Sequence, residues 1–474
     1  MMIGHLQWLQ NDSILLVYQT DNSVMSADAM ISDCSSMLTM PSLIVDAYRS
    51  EGANGVTDRV LWSVFCLPLE RTSKKCRVTS VTQRRISVIQ LFKPYMGEEE
   101  VEAVAQVIRT GWIGLGPKTA EFERRLAQYI GVPYMVALNS ATAALDLALR
   151  LLDIRPGDEV IVPTMTFVST AHVVVYNRAT PVFADVDENT LNIDLDDVAR
   201  KITPRTRAII PVHYGGRPVD MDRLREIAGR IPIIEDAAHA CGAEYKGQKC
   251  GSIGDLGCFS FQAVKNLATG DGGAIAAKDK DLSDRAKRLR WLGIDKGTWD
   301  RTDGNRTYLW DYSVDDIGFK SHMNDIAAAL GIVQLRKLDD MNERRQEIKR
   351  LYNEGLRDLD WIQLPPDDTF DSKSSWHIYC IQSDYRDELN AYLEKQGIGT
   401  GVHYRPIHTY SCYGHQPHLP NAEYAFQRIL SLPMHAGLSD NDVDLVIQTI
   451  HAFSDEVVYA KTLILLPQFA ASTN

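Results

Sequence analysis

The chain has 474 residues, more than one hydrophobic core usually supports, so two domains are expected. Hydrophobic residues make up 45% and charged residues 24%, the balance of an ordinary globular protein. A formal net charge of −12 argues against a general nucleic-acid or anionic-membrane binder, while leaving room for a local basic pocket around a phosphorylated ligand.

Residues 1–87 show no sustained period and end in a basic stretch that includes Arg71, Lys74, Lys75, Arg77, Arg84 and Arg85. From Val88 onward, strand-length apolar runs alternate with helical patterns, as βαβ units around a mostly parallel sheet do. Helices are predicted at 98–110 and 119–130, the second opening just after Pro117. A strand at 134–138 then runs through Asn139-Ser140-Ala141-Thr142 into an Ala/Leu-rich helix ending near Leu152. Further strands are predicted at 159–162, 181–184, 208–212, 231–235, 258–261 and 274–277, followed by a charged helix at 278–292. After about residue 340 the pattern turns mixed, with helices at 340–359 and 386–396 and strands at 376–382 and 400–404. The division this predicts is a large α/β domain over 88–335 and a smaller α+β domain over 336–474. Residues 1–87 read as a non-catalytic, poorly ordered extension.

Eight scattered cysteines without a C-x-x-C pair fit reduced thiols better than a disulfide framework or a metal site. No apolar run approaches the ~20 residues needed to span a membrane. The N-terminus also lacks a basic segment followed by an apolar stretch, so a cytoplasmic protein is expected.

The densest polar cluster is Glu235-Asp236-Ala237-Ala238-His239, directly after an apolar strand. Open α/β sheets place their ligands at such carboxyl ends. A carboxylate there can hydrogen-bond a protonated heterocyclic nitrogen; in pyridoxal chemistry this keeps the ring able to accept electrons. An ordinary helix cap by Asp236 fits the spacing as well. Next, Ser260-Phe261-Gln262-Ala263-Val264-Lys265-Asn266 leads into the glycine-rich turn Gly270-Asp271-Gly272-Gly273. Glycines allow close backbone approach and positive φ, and a desolvated lysine in such a pocket becomes a nucleophile. Alone, a lysine before a glycine turn is more often solvated; its place about 30 residues after Asp236 shifts that reading.

The third element, Ser140-Ala141-Thr142, sits at a strand-to-helix junction, where free N–H groups bind phosphate. Capping by Ser140 or Thr142 explains these residues equally well. The stretch Gly111-Trp112-Ile113-Gly114-Leu115-Gly116-Pro117-Lys118-Thr119 is like a phosphate loop only on the surface, because Pro117 breaks the Walker pattern.

Together with Pro163-Thr164-Met165-Thr166-Phe167, Asp185-Val186-Asp187 and His403-Tyr404, in this order and spacing, the chain resembles the DegT/DnrJ/StrS family of sugar aminotransferases over about residues 89–453. The resemblance implies a fold-type-I, three-layer α/β/α architecture and pyridoxal 5'-phosphate as cofactor. It implies that Lys265 is the Schiff-base lysine and proton shuttle, and that Asp236 pairs with the pyridine nitrogen. Phe167 would stack on the ring, while Ser260, Ala141 and Thr142 would hold the phosphate. His239 stands where many relatives carry glutamine near the phenolic oxygen, or else packs under the ring. Lys320 stands where many carry an asparagine that crosses a dimer interface to the partner's phosphate, or else is a solvated interface residue. His322, His403, Tyr404, His408 and His435 are candidates to face the substrate, with ordinary partly buried polar roles as the alternative.

The implied reaction is transamination of a keto group on a nucleotide-linked deoxysugar by an amino acid, glutamate by analogy, in a homodimer with shared active sites. Relatives that dehydrate deoxysugars replace the lysine with histidine, so Lys265 counts against that alternative. Residues 27–37 are similar to a short nucleotide-sugar segment of CDP-glycerol glycerophosphotransferases, too short to make a domain.

Overall fold

Successive side chains of a strand point to opposite faces, so a strand apolar at every position needs cover on both sides. The computed structural model describes residues 88–295 and 312–457 in full and builds one sheet there from seven strands, most of them buried along their length. Within residues 1–87 it gives the backbone of a few short strands, among them Gly4–Leu9 paired antiparallel with Ser13–Thr20. The readings made there, a non-catalytic extension and the 27–37 segment, otherwise lie outside the described residues.

The strands are β1 (Tyr134–Leu138), β2 (Glu159–Pro163), β3 (Thr180–Ala184), β4 (Thr206–Ile209), β5 (Ile234–Asp236), β6 (Leu256–Ser260) and β7 (Gly273–Ala277). β3 and β4 flank β2 in parallel. Parallel bridges Ile209–Ile233 and Val212–Asp236 carry the sheet on to β5. β5 pairs in parallel with β6, and β7 runs antiparallel between β6 and β1. The order is therefore β3-β2-β4-β5-β6-β7-β1, parallel except for β7, as the sequence pattern predicts for an α/β domain.

Alternate residues of these strands divide between two cores. Val136, Leu138, Val160, Val162, Cys258 and Ile275 meet helices α3 (Ala141–Leu151), α4 (Ser169–Tyr176) and α7 (Lys280–Leu289) on one face. Met135, Ala137, Phe259 and Ala274 meet α2 (Pro117–Ile130) and α8 (Asp325–Leu356) on the other. That face continues where Ile161 and Ile209 pack on α5 (Leu195–Lys201) and α6 (Met221–Ala228). These are the three layers.

A third core joins the far half of α8, through Ile348, Tyr352 and Leu356, to the strand pair β8 (Tyr379–Gln382) and β9 (Ile429–Leu432). Helices α9 (Arg386–Lys395) and α11 (Asp440–Phe453) complete it, and α10 (Pro420–Arg428) leads into β9. This is the smaller α+β part of the fold.

The sequence pattern misplaces one long element. The helix predicted at 340–359 begins at Asp325, runs for 32 residues and passes residue 335 without a break. Gly331 argues against helix in a sequence, but here it makes room: an added Cβ would lie 2.7 Å from the Phe122 ring. The strand predicted at 400–404 reduces to a bridge between Gly401 and Ser431. α4 escapes sequence reading because Ser169-Thr170-Ala171-His172-Val173-Val174-Val175-Tyr176 is β-branched and apolar; packing overrides its local preference.

The start of α8 is fixed by Asp325, which is 1% exposed. Its carboxyl group accepts from the Gly116, Lys118 and Thr119 N–H groups and from the Thr119 hydroxyl at 2.8–3.0 Å. The glycine-rich stretch before α2 thus folds around a carboxyl group of its own chain instead of a phosphate. Asp325→Ala strands four donors, each leaving a cost of about 1–3 kcal/mol that water can partly relieve. The expected loss in urea unfolding is about 3–5 kcal/mol, and a change under 1 kcal/mol would contradict this account.

Candidate active site

The carboxyl ends of β5 and β6 bring the sequence candidates together. Asp236 ends β5 and is 4% exposed. Its Oδ2 accepts from the Thr170 hydroxyl at 2.9 Å and its Oδ1 from the Ala238 N–H at 3.1 Å. Burial pushes its carboxyl up from the usual range, while those donors and the nearby Lys265 oppose the shift. Its neighbour Glu235 points into a separate, fully committed network. There it meets His213 Nε2 at 2.9 Å and accepts from the Gly251, Ile253 and Gly254 N–H groups.

Lys265 lies five residues beyond β6, partly buried, with Nζ 3.3 Å from His377 Nε2. Burial lowers its ammonium to about 8, against the upward pull of Asp236. His377 stacks on Phe92 at 5.2 Å and lies 4.7 Å from the ring of His239. His239 Nε2 meets the Tyr404 hydroxyl at 3.1 Å. Burial and the Lys265 charge hold both histidines well below the ordinary imidazole range, so both are neutral. Each keeps a buried Nδ1 with no protein partner.

Next to this cluster, Ser140 caps α3 by accepting from the Ala143 N–H. The N–H groups of Ala141 and Thr142 belong to the helix's first turn, which has no intrahelical acceptors. Ser260 faces Gly273 across the β6–β7 ladder. A Cβ on Gly273 would lie 2.3 Å from the Ser140 carbonyl carbon, so only glycine lets the helix start sit this close to the sheet. The Thr142 hydroxyl meets Ser169 Oγ at 2.7 Å.

Phe167 leaves its ring 57% exposed, with its centroid 6.3 Å from that of Tyr404. Lys320 is exposed and lies over the Trp291 ring at 5.4 Å. His322 packs edge-on against the same tryptophan at 4.4 Å, beside the end of β1. His403 Nδ1 meets Ser431 Oγ at 2.9 Å. His435 is buried with an unpartnered Nδ1. His408 differs: Thr164 holds its Nδ1 at 2.7 Å and Glu423 its Nε2 at 2.9 Å, so neither ring nitrogen is left for a substrate.

A buried carboxyl group, a desolvated amine and free helix N–H groups around an open aromatic face match a phosphorylated heterocyclic aldehyde. The model of the DegT/DnrJ/EryC1/StrS aminotransferase family matches residues 94–451. The chain belongs to that family.

The chain is 41% identical to the spore coat polysaccharide biosynthesis protein SpsC of Bacillus subtilis, covering 78% of this chain and 98% of that protein. It is also 41% identical to the dTDP-4-dehydro-2,3,6-trideoxy-D-glucose 4-aminotransferase of Saccharopolyspora spinosa, covering 76% and 95%. Among solved structures, the aminotransferase TlmJ from Streptoalloteichus hindustanus superposes with a TM-score of 0.73 at 39% identity, over 77% of this chain and 98% of that one. The putative sugar aminotransferase Spr1654 from Streptococcus pneumoniae, in its PMP form, gives 0.73 at 35%, over 79% and 100%.

This aminotransferase carries site residues that sequence reading missed. Thr170 sits in the unrecognised helix α4, and Phe92 precedes the first predicted helix. His377 lies in the predicted strand 376–382, but nothing in its local pattern distinguishes it from a core histidine.

The titration of Lys265 follows from its surroundings. Burial disfavours the ammonium and lowers its pKa, whereas the Asp236 carboxylate favours it. In the apo-protein, labelling of Lys265 by an amine-directed reagent, followed by peptide mass mapping, should show a midpoint near 8. Asp236→Asn removes the favourable charge, so the midpoint should move lower. A midpoint near the ordinary lysine value, or an upward move in the variant, would refute this electrostatic picture.

Proposed function

We propose that this family member transfers an amino group from an amino acid, glutamate, to a keto carbon of a nucleotide-linked deoxysugar, using pyridoxal 5'-phosphate. The setting would be the cytoplasmic synthesis of surface-polysaccharide or secondary-metabolite sugars. The names of the Bacillus and Saccharopolyspora relatives support the substrate class. Among the described residues, no helix is long and apolar enough to cross a membrane.

The observation that carries the reading is Lys265, a partly buried amine at the mouth of the β5–β6 junction with Asp236 as its counter-charge. A lysine lowered to about 8 has a useful share of free amine near neutral pH, which suits both attack on a carbonyl and proton carriage. When bound, the cofactor supplies an electron sink for charge developing at the reacting carbon. Asp236 would hold its pyridine nitrogen, and the Ala141 and Thr142 N–H groups with Ser260 its phosphate. Phe167 would cover a ring face.

His239 is neutral and can accept from Tyr404 at Nε2, which leaves an Nδ1–H to donate towards the phenolic oxygen. His377 touches the Lys265 amine and orients it. Between proton transfers, Lys265 Nζ carries the proton from one substrate carbon to the next position while the surrounding imidazoles, being neutral, do not compete as acids.

In a homodimer Lys320 would reach the partner's cofactor phosphate as a point charge; its exposure supports that role. His322, His403 and Tyr404 would line the sugar side. The segment of residues 1–87 lies before the family match and is read as non-catalytic.

Lys265→Ala removes nucleophile and proton carrier together, so steady-state transamination should fall by roughly a thousandfold or more. The assay uses glutamate with a panel of nucleotide-linked keto-sugars. The wild-type visible absorbance should fade with glutamate and return with the correct sugar. Turnover retained by the alanine variant would remove Lys265 from this role.

A further inference from the structure

Arg345 is 3% exposed, midway along α8, on the side that the third core covers. Its hydrogen bond runs from Nη1 to the Met341 carbonyl of its own helix at 3.2 Å, and its Nε has no partner among the described residues. Burial displaces its pKa, down to about 10, and no carboxylate among the described residues opposes that displacement. Leaving a guanidinium buried and unpaired is costly, so such groups are normally matched by an anion.

Its surroundings repeat the same incompleteness. Tyr352, two turns further along, donates to the Pro433 carbonyl at 3.0 Å, and Arg344 donates to the Leu438 carbonyl at 2.9 Å. These bonds hold the 433–438 segment against this part of α8, and that segment carries His435. On the other side, Asn342 accepts from Asn266, the residue after Lys265, and Gln346 accepts from the Trp376 indole, the residue before His377. His435 and His377 are 5% and 2% exposed, and each has an unpartnered Nδ1. Burial holds both neutral, with Lys265, His239 and Arg345 adding to it at His377 and Arg345 and Lys93 at His435, whose ring also donates to the Gln90 backbone.

We propose that Arg345, with His377 supplying a further N–H, forms the receptor for a carboxylate of the amino donor. The assignment rests on the transamination reading for the nature of that donor. A planar fork of N–H groups receives a carboxylate through two parallel bonds, and one buried positive charge matches a carboxylate's single negative charge, whereas a phosphate would bring more than one. The position fits as well, since His377 connects this pocket to the Lys265 amine at 3.3 Å. Glutamate binding here would present its amino group to the lysine side of the site while the pocket gains the anion it lacks.

The test is calorimetric titration of the holoenzyme with glutarate, a dicarboxylate that cannot react, alongside inorganic phosphate. Glutarate should bind the wild type, and Arg345→Lys and Arg345→Ala should weaken it at least tenfold, because a charge-assisted bidentate contact is lost. Added guanidinium should restore glutarate binding to Arg345→Ala, which a merely structural arginine would not produce. If Arg345→Ala fails to fold by thermal unfolding, Arg345→Lys decides, since it keeps the charge. Glutarate binding that is undetectable in the wild type, unchanged in Arg345→Lys, or matched by phosphate would overturn the proposal. Failure of the transamination reading shows differently, as turnover in Lys265→Ala or visible absorbance indifferent to glutamate, whatever glutarate does.

Discussion

A buried carboxyl group and a partly buried amine act on one another electrostatically where β5 and β6 end, and the strands of the large domain hold them there. Burial alone would protonate Asp236 and deprotonate Lys265, and each partly offsets the other. The opposed shifts leave a carboxyl group raised from its usual range beside an amine lowered to about 8, which keeps a share of free base near neutral pH. A more exposed pair would give an ordinary ammonium of little nucleophilic use; a more deeply isolated pair would neutralise itself. The parallel pairing of Asp236 with Cys258, and the short run from Ser260 to Lys265, fix how near the two can be.

Around that pair the electrostatics are unusually one-sided. His239, His377 and His403 are all shifted down by burial and by the lysine, so the walls next to Lys265 are polar yet uncharged. Neutral imidazoles can donate and accept hydrogen bonds without setting up rival acids. The acidic residues nearby are tied elsewhere: Glu235 is saturated by His213 and three backbone N–H groups. The consequence is a site whose mobile proton resides chiefly on one amine.

What was legible in the sequence follows the locality of its causes. Most strands announce themselves because they are short and largely apolar, and the site residues Ser140, Asp236 and Lys265 lie at or just after the ends of β1, β5 and β6. The order of the strands was not written locally: β7 is last in the sheet's sequence yet lies between β6 and β1. α8 was read only from its charged second half, since its first half is alanine-rich, contains Gly331 and is buried on several sides. His377 and Arg345 were invisible for a related reason. A histidine in an apolar stretch just before a strand and an arginine in a charged helix acquire meaning only from what is packed against them. His408 shows the opposite case, a residue in a suggestive motif whose two nitrogens are taken by Thr164 and Glu423.

α8 links these observations physically. Its first turn is pinned by Asp325 to the loop before α2, its middle touches Asn266 beside the lysine, and its far half builds the small domain's core. A helix gains little from being this long on its own account, because propensity contributes weakly per residue. Length here serves registration: Arg345 and Gln346 stand one turn beyond Asn342 on one rigid element, with Asn342 bonded to the loop after β6 and Gln346 to Trp376, beside His377 just before β8. Any ligand seated on Arg345 is therefore measured against Lys265 by α8, not by a flexible loop. Splitting the chain at its apparent change of pattern, near residue 335, would cut the element that sets that distance.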